Sequence, residues 1–386
     1  MTRASVFLGS EFVAKYLTGG GNFWVPVQYL RGLLELGYDA WWLELLGPAK
    51  EAGLDEQRIA RFWANVDELG LRERVVLAYF PRGEVGQLDA SVVWQGALDE
   101  RGLRERARDA LLINPANSIP APMRVAFART ALLDIDPGPF QLWAREWDMG
   151  VGSHDVHLTI GMNLGESDSP IPLGGVEWKR VWPSVHLGSW PAQALAQEGR
   201  YTTITQWWTT QYAFLDGDVY DCNKREGFVR HIDLPRRAGL ELEIAANVHV
   251  EEKDERELIA RHGWHLVDPA AVACTPVEFQ RYVRAARGEV SAAKPAYVKA
   301  RSGWVSDRTI CFLASGRPCV VEDVGAARHL PESRGLRFFA TTDEAARRIA
   351  DVEADYARAS RDARRLAEDV FDTRVVLPKL LAHCGL

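Results

Sequence analysis

The sequence predicts two doubly wound α/β domains in tandem, facing a cleft and followed by a helical C-terminal tail. Three observations lead there. Short apolar runs alternate with helical stretches along the chain, and that rhythm implies parallel sheets wrapped by helices. The length, 386 residues, suits two domains of ordinary size. Near the middle, "GMNLGESDSPIPLGGVEWKRVWP" (161–183) is rich in Gly, Pro, Ser and Asp and lacks periodicity, which makes it a linker candidate.

Taken in order, "SVFLG" (5–9) reads as the first strand, and "NFWVPVQYLRGLLELG" (22–37) as a helix closed by Gly37. "YDAWWLELL" (38–46) is the second strand, followed by helix 56–70 and strand 74–80. Helix 103–110, strand 111–114 and one or two strands in 124–138 complete the first half. Beyond the linker come strand 202–208, a helix over 222–239 broken at Pro235, strand 240–246, helix 254–263 and strand 264–268. Helix 275–288 starts well, with Thr275 as N-cap and Pro276 at the first helical position. Strands 289–293 and 336–341 follow, then a helical tail from Asp343 to about His383 with a break near Phe371–Asp372.

Composition narrows the function. A net charge of −7 argues against general nucleic-acid or membrane-surface binding. Five widely spaced cysteines without a CxxC pair read as reduced thiols of a cytoplasmic protein. The N-terminus has too short an apolar run for a signal peptide, and no run is long enough to cross a bilayer. Fourteen tryptophans is a high count, which suits either core packing or the binding of sugars and flat rings.

The most informative stretch is "KARSGWVSDRTICFLASGRPCVVEDVG", Lys299 to Gly325. Ser306 stands where a helix N-cap belongs, and the free N–H groups of a helix start suit a phosphate. Asp307 and Arg308 follow, and the Arg308 guanidinium offers a fork of donors to phosphate oxygens. Lys294 and Lys299 add positive charge just upstream. Glu322 and Asp323 end the next strand, where a carboxylate can accept bonds from a ribose diol, and Gly325 permits close backbone approach. Together these groups fit a nucleoside diphosphate; separately they read as a helix cap, a surface arginine and two solvated loop acids.

This segment resembles the donor half of GT-B glycosyltransferases, in particular a bacterial group reading approximately GWFSDRS-x-YLA-x-GRPVVVQDTG. The matching residues are Gly303, Trp304, Ser306, Asp307, Arg308, Leu313, Ala314, Gly316, Arg317, Pro318, Asp323 and Gly325. "GGGNFWVPVQYLRGLLELGYDAWWLE" (19–44), "DIDPGPFQLW" (134–143), "LTIGMNLG" (158–165) and "GLRFFATTDEA" (335–345) are similar to further elements of the group, so the resemblance spans nearly the whole chain. Val305, Glu322, Val324 and Met162 depart from its pattern. The paired glutamates of many retaining members are absent, with Gly303 and Cys311 near their places.

The resemblance implies two Rossmann-like domains: an acceptor-side domain over 1–175, a donor domain over 176–370, and a final helix, 371–386, crossing back to the first domain. It implies transfer of a sugar from a nucleoside-diphosphate sugar to a small-molecule acceptor, with no metal and no cofactor, in the cytoplasm. The leaving diphosphate would be held by Arg308, the 306–308 amides and Lys294 or Lys299. Asp136, at a strand end before a Pro-Gly turn, is the first candidate for the base that takes the acceptor's proton, and His154 the second. Turn capping and an ordinary loop histidine are the alternatives for these two. Gly20, Gly21, Asn22, Trp24 and Gln28 would face the acceptor, and the aromatic N-terminal half (Phe23, Trp24, Tyr29, Trp41, Trp42, Trp63) leans the same way. "QWWTTQY" (206–212) offers Trp207 or Trp208 for sugar stacking. "HDVH" (154–157) does not have metal-ligand spacing on one strand face. A sugar-nucleotide epimerase of the same fold and a non-catalytic binding protein are the other two readings.

Overall fold

The computed structural model describes residues 4–82, 84–194 and 198–386. The first half runs β1 (Ser5–Ser10), α1 (Gly20–Glu35), β2 (Asp39–Leu46), α2 (Leu54–Glu68), β3 (Val75–Tyr79), β4 (Val93–Gly96), α3 (Glu100–Ala107), β5 (Leu111–Pro115), α4 (Ala121–Arg124), β6 (Arg129–Asp134), α5 (Pro139–Trp143), β7 (Val156–Thr159) and β8 (Trp178–Arg180). Its sheet has the order β4-β3-β2-β1-β5-β6-β7-β8. Every described pair in it is parallel except β3–β4. Helices cover both faces of a parallel sheet, so its strands are apolar on both sides. Val6, Phe7 and Leu8 are all fully buried for that reason.

The second half runs β9 (Tyr201–Thr205), β10 (Tyr212–Leu215), β11 (Asp218–Asp221), α6 (Lys224–Arg230), α7 (Leu234–Ala238), β12 (Leu242–Ala246), α8 (Lys253–Arg261), β13 (Trp264–Val267), α9 (Pro269–Val272), α10 (Pro276–Ala285), β14 (Gly288–Ser291), α11 (Pro295–Ala300), α12 (Asp307–Ala314), β15 (Cys319–Glu322), β16 (Leu336–Phe339), α13 (Thr342–Ala354), α14 (Tyr356–Leu366) and α15 (Thr373–His383). The order of its main sheet is β13-β12-β9-β14-β15-β16, parallel throughout. Strand order reverses between β1 and β5 in one sheet and between β9 and β14 in the other. Such switch points open a crevice at the strand C-termini.

The local stops are those the residue types favour. Gly37 takes φ 81°, and the Tyr38 amide donates to Leu33 O at 3.0 Å, closing α1. Thr275 Oγ1 accepts from the Glu278 amide at 3.2 Å while Glu278 returns a bond to the Thr275 amide at 2.9 Å. Ser306 Oγ accepts from the Arg308 amide at 3.2 Å.

Several expectations need correction. The 161–183 stretch is not all linker, because Trp178–Arg180 forms β8 on β7. A domain boundary at 175 therefore cuts the first sheet. The 124–138 region holds one strand, β6, after a helical turn. The tail breaks at Asp355 as well, where that side chain caps α14. The hairpin β10–β11 interrupts the second half where the expected order had none.

The two halves are tightly joined. The Trp24 indole donates to Pro276 O at 2.9 Å, and the Gly20 amide to Ala273 O at 3.0 Å. A methyl group on Gly32 of α1 would lie 2.5 Å from Thr373 and 2.7 Å from Leu377, so α15 lies directly against α1. Asn163, in the first half, donates to Arg301 O at 2.6 Å and Gly325 O at 3.2 Å.

Candidate functional site

The second switch point is filled by Arg308. From the first turn of α12, its Nε donates to Glu289 Oε1 at 2.6 Å, one terminal nitrogen to Ile204 O at 2.7 Å, and the other to Ser291 Oγ at 2.7 Å. Glu289 on β14 is fully buried. Arg308 thus ties β9 to β14 across the crevice. This corrects the expectation that its fork is presented to a phosphate. Asp307 is half-buried, and burial pushes its carboxyl up to about 6. Its charge acts on Tyr29 and Cys311, which puts it on the side of α12 that faces α1. Ser306 keeps its place at the helix start and, with Ser291, Trp304 and Thr309, lines a cavity of about 20 Å³. Trp304 packs on Tyr297, ring centroids 4.6 Å apart, and its buried indole N–H has no partner among the described residues.

Cationic groups gather beside this helix start. Lys294, the N-cap of α11, donates to Asp136 at 3.1 and 3.2 Å, and the Tyr297 hydroxyl donates to the same carboxylate. Asp136 follows β6, so this contact joins the strand ends of one domain to the other. Lys224, absent from the sequence expectations, is the first residue of α6. It is half-buried and makes no hydrogen bond or ion pair among the described residues. Burial, then the positive charges of Arg308 and Lys294, pull its ammonium down to about 7. Asp136 and Glu289 act on it in the opposite sense. A desolvated ammonium within reach of two other cations, and unpartnered among the described residues, favours a multiply charged anion.

The remaining expected residues lie elsewhere or are already engaged. Lys299 donates to Val219 O at 3.1 Å and lies 4.6 Å from the Tyr220 ring centre, so it belongs to the hairpin. Glu322 is buried; it accepts from the Ala293 amide at 2.8 Å, from Arg230 at 3.2 Å, and faces His231 Nε2 at 3.2 Å. Asp323 caps its own turn through the Gly325 amide at 2.8 Å. Gly325, at φ 90°, approaches Asn163 rather than a ligand, since a methyl group there would fall 2.4 Å from Asn163 Nδ2. Glu322 is therefore not left open to a ribose.

The acceptor-side expectations also change. Gly20, Gly21, Trp24 and Gln28 form the domain junction. A methyl group on Gly20 would lie 2.0 Å from Thr275 O, and one on Gly21 2.9 Å from Phe279. Gln28 is buried, accepting from the His186 amide at 3.0 Å. Phe23, Trp24, Tyr29, Trp41, Trp42 and Trp63 are all buried core. Gly21 and Asn22 of that group keep access to space: with Phe12, Tyr16, Gln206, Asn247 and Asp268 they line an open interdomain cleft of about 540 Å³. His154 is buried and satisfied, its Nδ1 donating to Gly150 O at 2.6 Å and its Nε2 lying 3.0 Å from Asn114 Nδ2. Burial lowers it to about 4, so it offers no free basic nitrogen. Trp207 is fully buried, whereas Trp208 is exposed. Among the described residues no group of three or more His, Cys, Asp or Glu could hold a metal ion, and no helix is long and apolar enough to cross a membrane.

No family profile and no curated protein matches the chain. Solved structures do. HepE from Anabaena, in complex with UDP-glucose, aligns over 100% of both chains at 12% identity and TM-score 0.57. A sucrose-phosphate synthase from Thermosynechococcus elongatus aligns over 98% of both at 11% identity and TM-score 0.55. An α-glucosyltransferase in complex with UDP and a 13-mer DNA aligns over 99% of both at 10% identity and TM-score 0.56. The chain therefore has the GT-B fold.

Proposed function

We propose that the protein is a glycosyltransferase that moves a sugar from a nucleoside-diphosphate sugar to a small-molecule acceptor, without a metal ion. The observation that carries this reading is the unpartnered Lys224 ammonium, set beside Lys294 and the capped start of α12 at a domain junction. A diphosphate needs compensation for the negative charge that grows as its bond to the sugar breaks. Lys224, Lys294 and the amides following Ser306 supply it; Arg308 holds the crevice in shape beneath them. The UDP and UDP-glucose bound by neighbours of the same fold support the donor class.

Asp136 serves as the acceptor-side carboxylate. While it holds Lys294 its charge is occupied. When Lys294 turns to the diphosphate, Tyr297 keeps its bond to Asp136 Oδ1 and Oδ2 is freed to take the acceptor's hydroxyl proton. In that step the acceptor oxygen forms a bond to the anomeric carbon, the bond from that carbon to the diphosphate oxygen breaks, and the proton passes to Asp136. The epimerase and scaffold readings provide no use for this exchange. The test is a thermal-shift panel of UDP, GDP, dTDP and ADP, since a ligand that binds only the folded chain raises its midpoint. At least one diphosphate raises it in the native protein, and Lys224→Met abolishes the rise. Asp136→Asn keeps the rise but lowers turnover about 100-fold or more. A native protein unmoved by all four ligands removes the donor assignment.

A further inference from the structure

The hairpin β10–β11 interrupts the second domain between its first strand and Lys224. One face is anchored: Ala213 and Tyr220, directly paired, are buried in a cluster with Leu132, Phe140 and Trp178 of the first domain and Ala300 of α11. The Trp143 indole donates to Tyr212 O at 2.9 Å, and Lys299 bonds both Val219 O and Asp218. The hairpin is therefore held in place. Its other face carries Tyr212, Phe214 and Val219, 44, 50 and 50% exposed, with Phe214 and Val219 directly opposite. Trp208, 37% exposed, precedes the first strand. A rigid hairpin that leaves two aromatic rings and a valine in water has a use for them.

The surroundings select the occupant. Asp216, Asp218 and Asp221 lie in or beside the turn and second strand; the first two have side chains 82 and 69% exposed and lie 3.7 Å from Arg145 and 3.3 Å from Lys299. Three carboxylates against these two cations leave the rim slightly anionic, which does not favour phosphate, nucleic acid or anionic lipid. A neutral saccharide fits both parts: the C–H face of a pyranose ring packs on an aromatic ring, and its hydroxyls donate to carboxylates. Position argues the same way. Asp221 is three residues from Lys224 and pairs with Tyr212. Chain reach and strand spacing then keep Tyr212 within ~15 Å of the Lys224 backbone.

We propose that the outer face of the β10–β11 hairpin binds the neutral saccharide portion of the acceptor, so that the acceptor is an oligosaccharide or glycoside rather than a compact aglycone. This rests on the transferase reading above. The test uses an array of neutral malto-, cello- and manno-oligosaccharides, with sulfated glycans as the anionic comparison. The native protein is expected to bind at least one neutral series and no sulfated one. The double variant Tyr212→Ser, Phe214→Ser is expected to bind at least ten-fold more weakly, with its diphosphate thermal shift intact as proof of folding. Lys224→Met is expected to do the converse. No binding to any neutral series overturns the proposal, as does binding that survives the double substitution. Self-association in sedimentation that the double variant abolishes also overturns it, because the face then belongs to a second copy. If saccharide binding follows the hairpin but no diphosphate shifts the native protein, the donor assignment fails and the platform stands.

Discussion

At the residue scale, the proposed reading gives Lys224 the phosphate-facing role that sequence context suggests for Arg308. Arg308 lies in the motif but spends its donors on Glu289, Ile204 and Ser291. Removing it strands a fully buried carboxylate, and breaking such a pair costs about 3–5 kcal/mol. Arg308→Ala is therefore expected to lower the thermal midpoint sharply while the remaining folded protein still responds to diphosphate. Lys224 shows the opposite pattern. A lysine whose pKa is lower folded than unfolded reduces stability most below its folded value, about 7 here, and the penalty fades toward 10.5. Lys224→Met should raise the midpoint at pH 6 and much less at pH 10. In the native protein diphosphate affinity should fall as pH rises through about 7, since the anion needs the charged ammonium. Calorimetric melts and titrations across that range check both signs.

At the element scale, Glu44 in β2 holds the loop after β1. It is fully buried, accepts from the Val13 and Ala14 amides at 2.9 and 2.8 Å, and burial pushes it up to about 7. A carboxyl that holds its proton more tightly when folded contributes stability below about 4.5 that is lost as pH climbs toward 7. Glu44→Gln should flatten that decline in denaturation midpoints between pH 5 and 7. Both sheets were largely legible in sequence, as were the helix ends at Gly37, Thr275 and Ser306, because apolar runs and these residue types carry local signals. The strands β4 and β7 were not read, and three further features were missed for different reasons. β8 is three residues long within a Gly- and Pro-rich stretch. The hairpin did carry a cue, Asp216-Gly217 between alternating apolar residues, and Asp216 indeed takes φ 52°. Lys224 was read as helix interior, although Asn223 before it is a helix-capping type. The partners of Arg308 and Glu322 lie 17 to 104 residues away, beyond anything spacing reveals.

At the scale of the whole molecule, the domains are locked over the site. Asn163 touches Arg301, Gly325, Arg328 and His329, and Gly303 at φ 74° leaves no room for a methyl group beside its amide. The cavity at the start of α12 holds about 20 Å³, close to the space of a single water. The Asn163 contacts hold the two domains together beside this helix start, so entry of the proposed donor by domain opening would be gated by them. Asn163→Ala should speed diphosphate association in stopped-flow experiments and raise amide exchange across 301–303 and 325. Unchanged rates and exchange would place the entry path elsewhere. The most direct test of the whole account is titration of UDP, GDP, dTDP and ADP into the native protein and Lys224→Met at pH 6.5. The account predicts that one of the four binds the native protein and is weakened at least ten-fold by the substitution. Equal affinity in both proteins would contradict it.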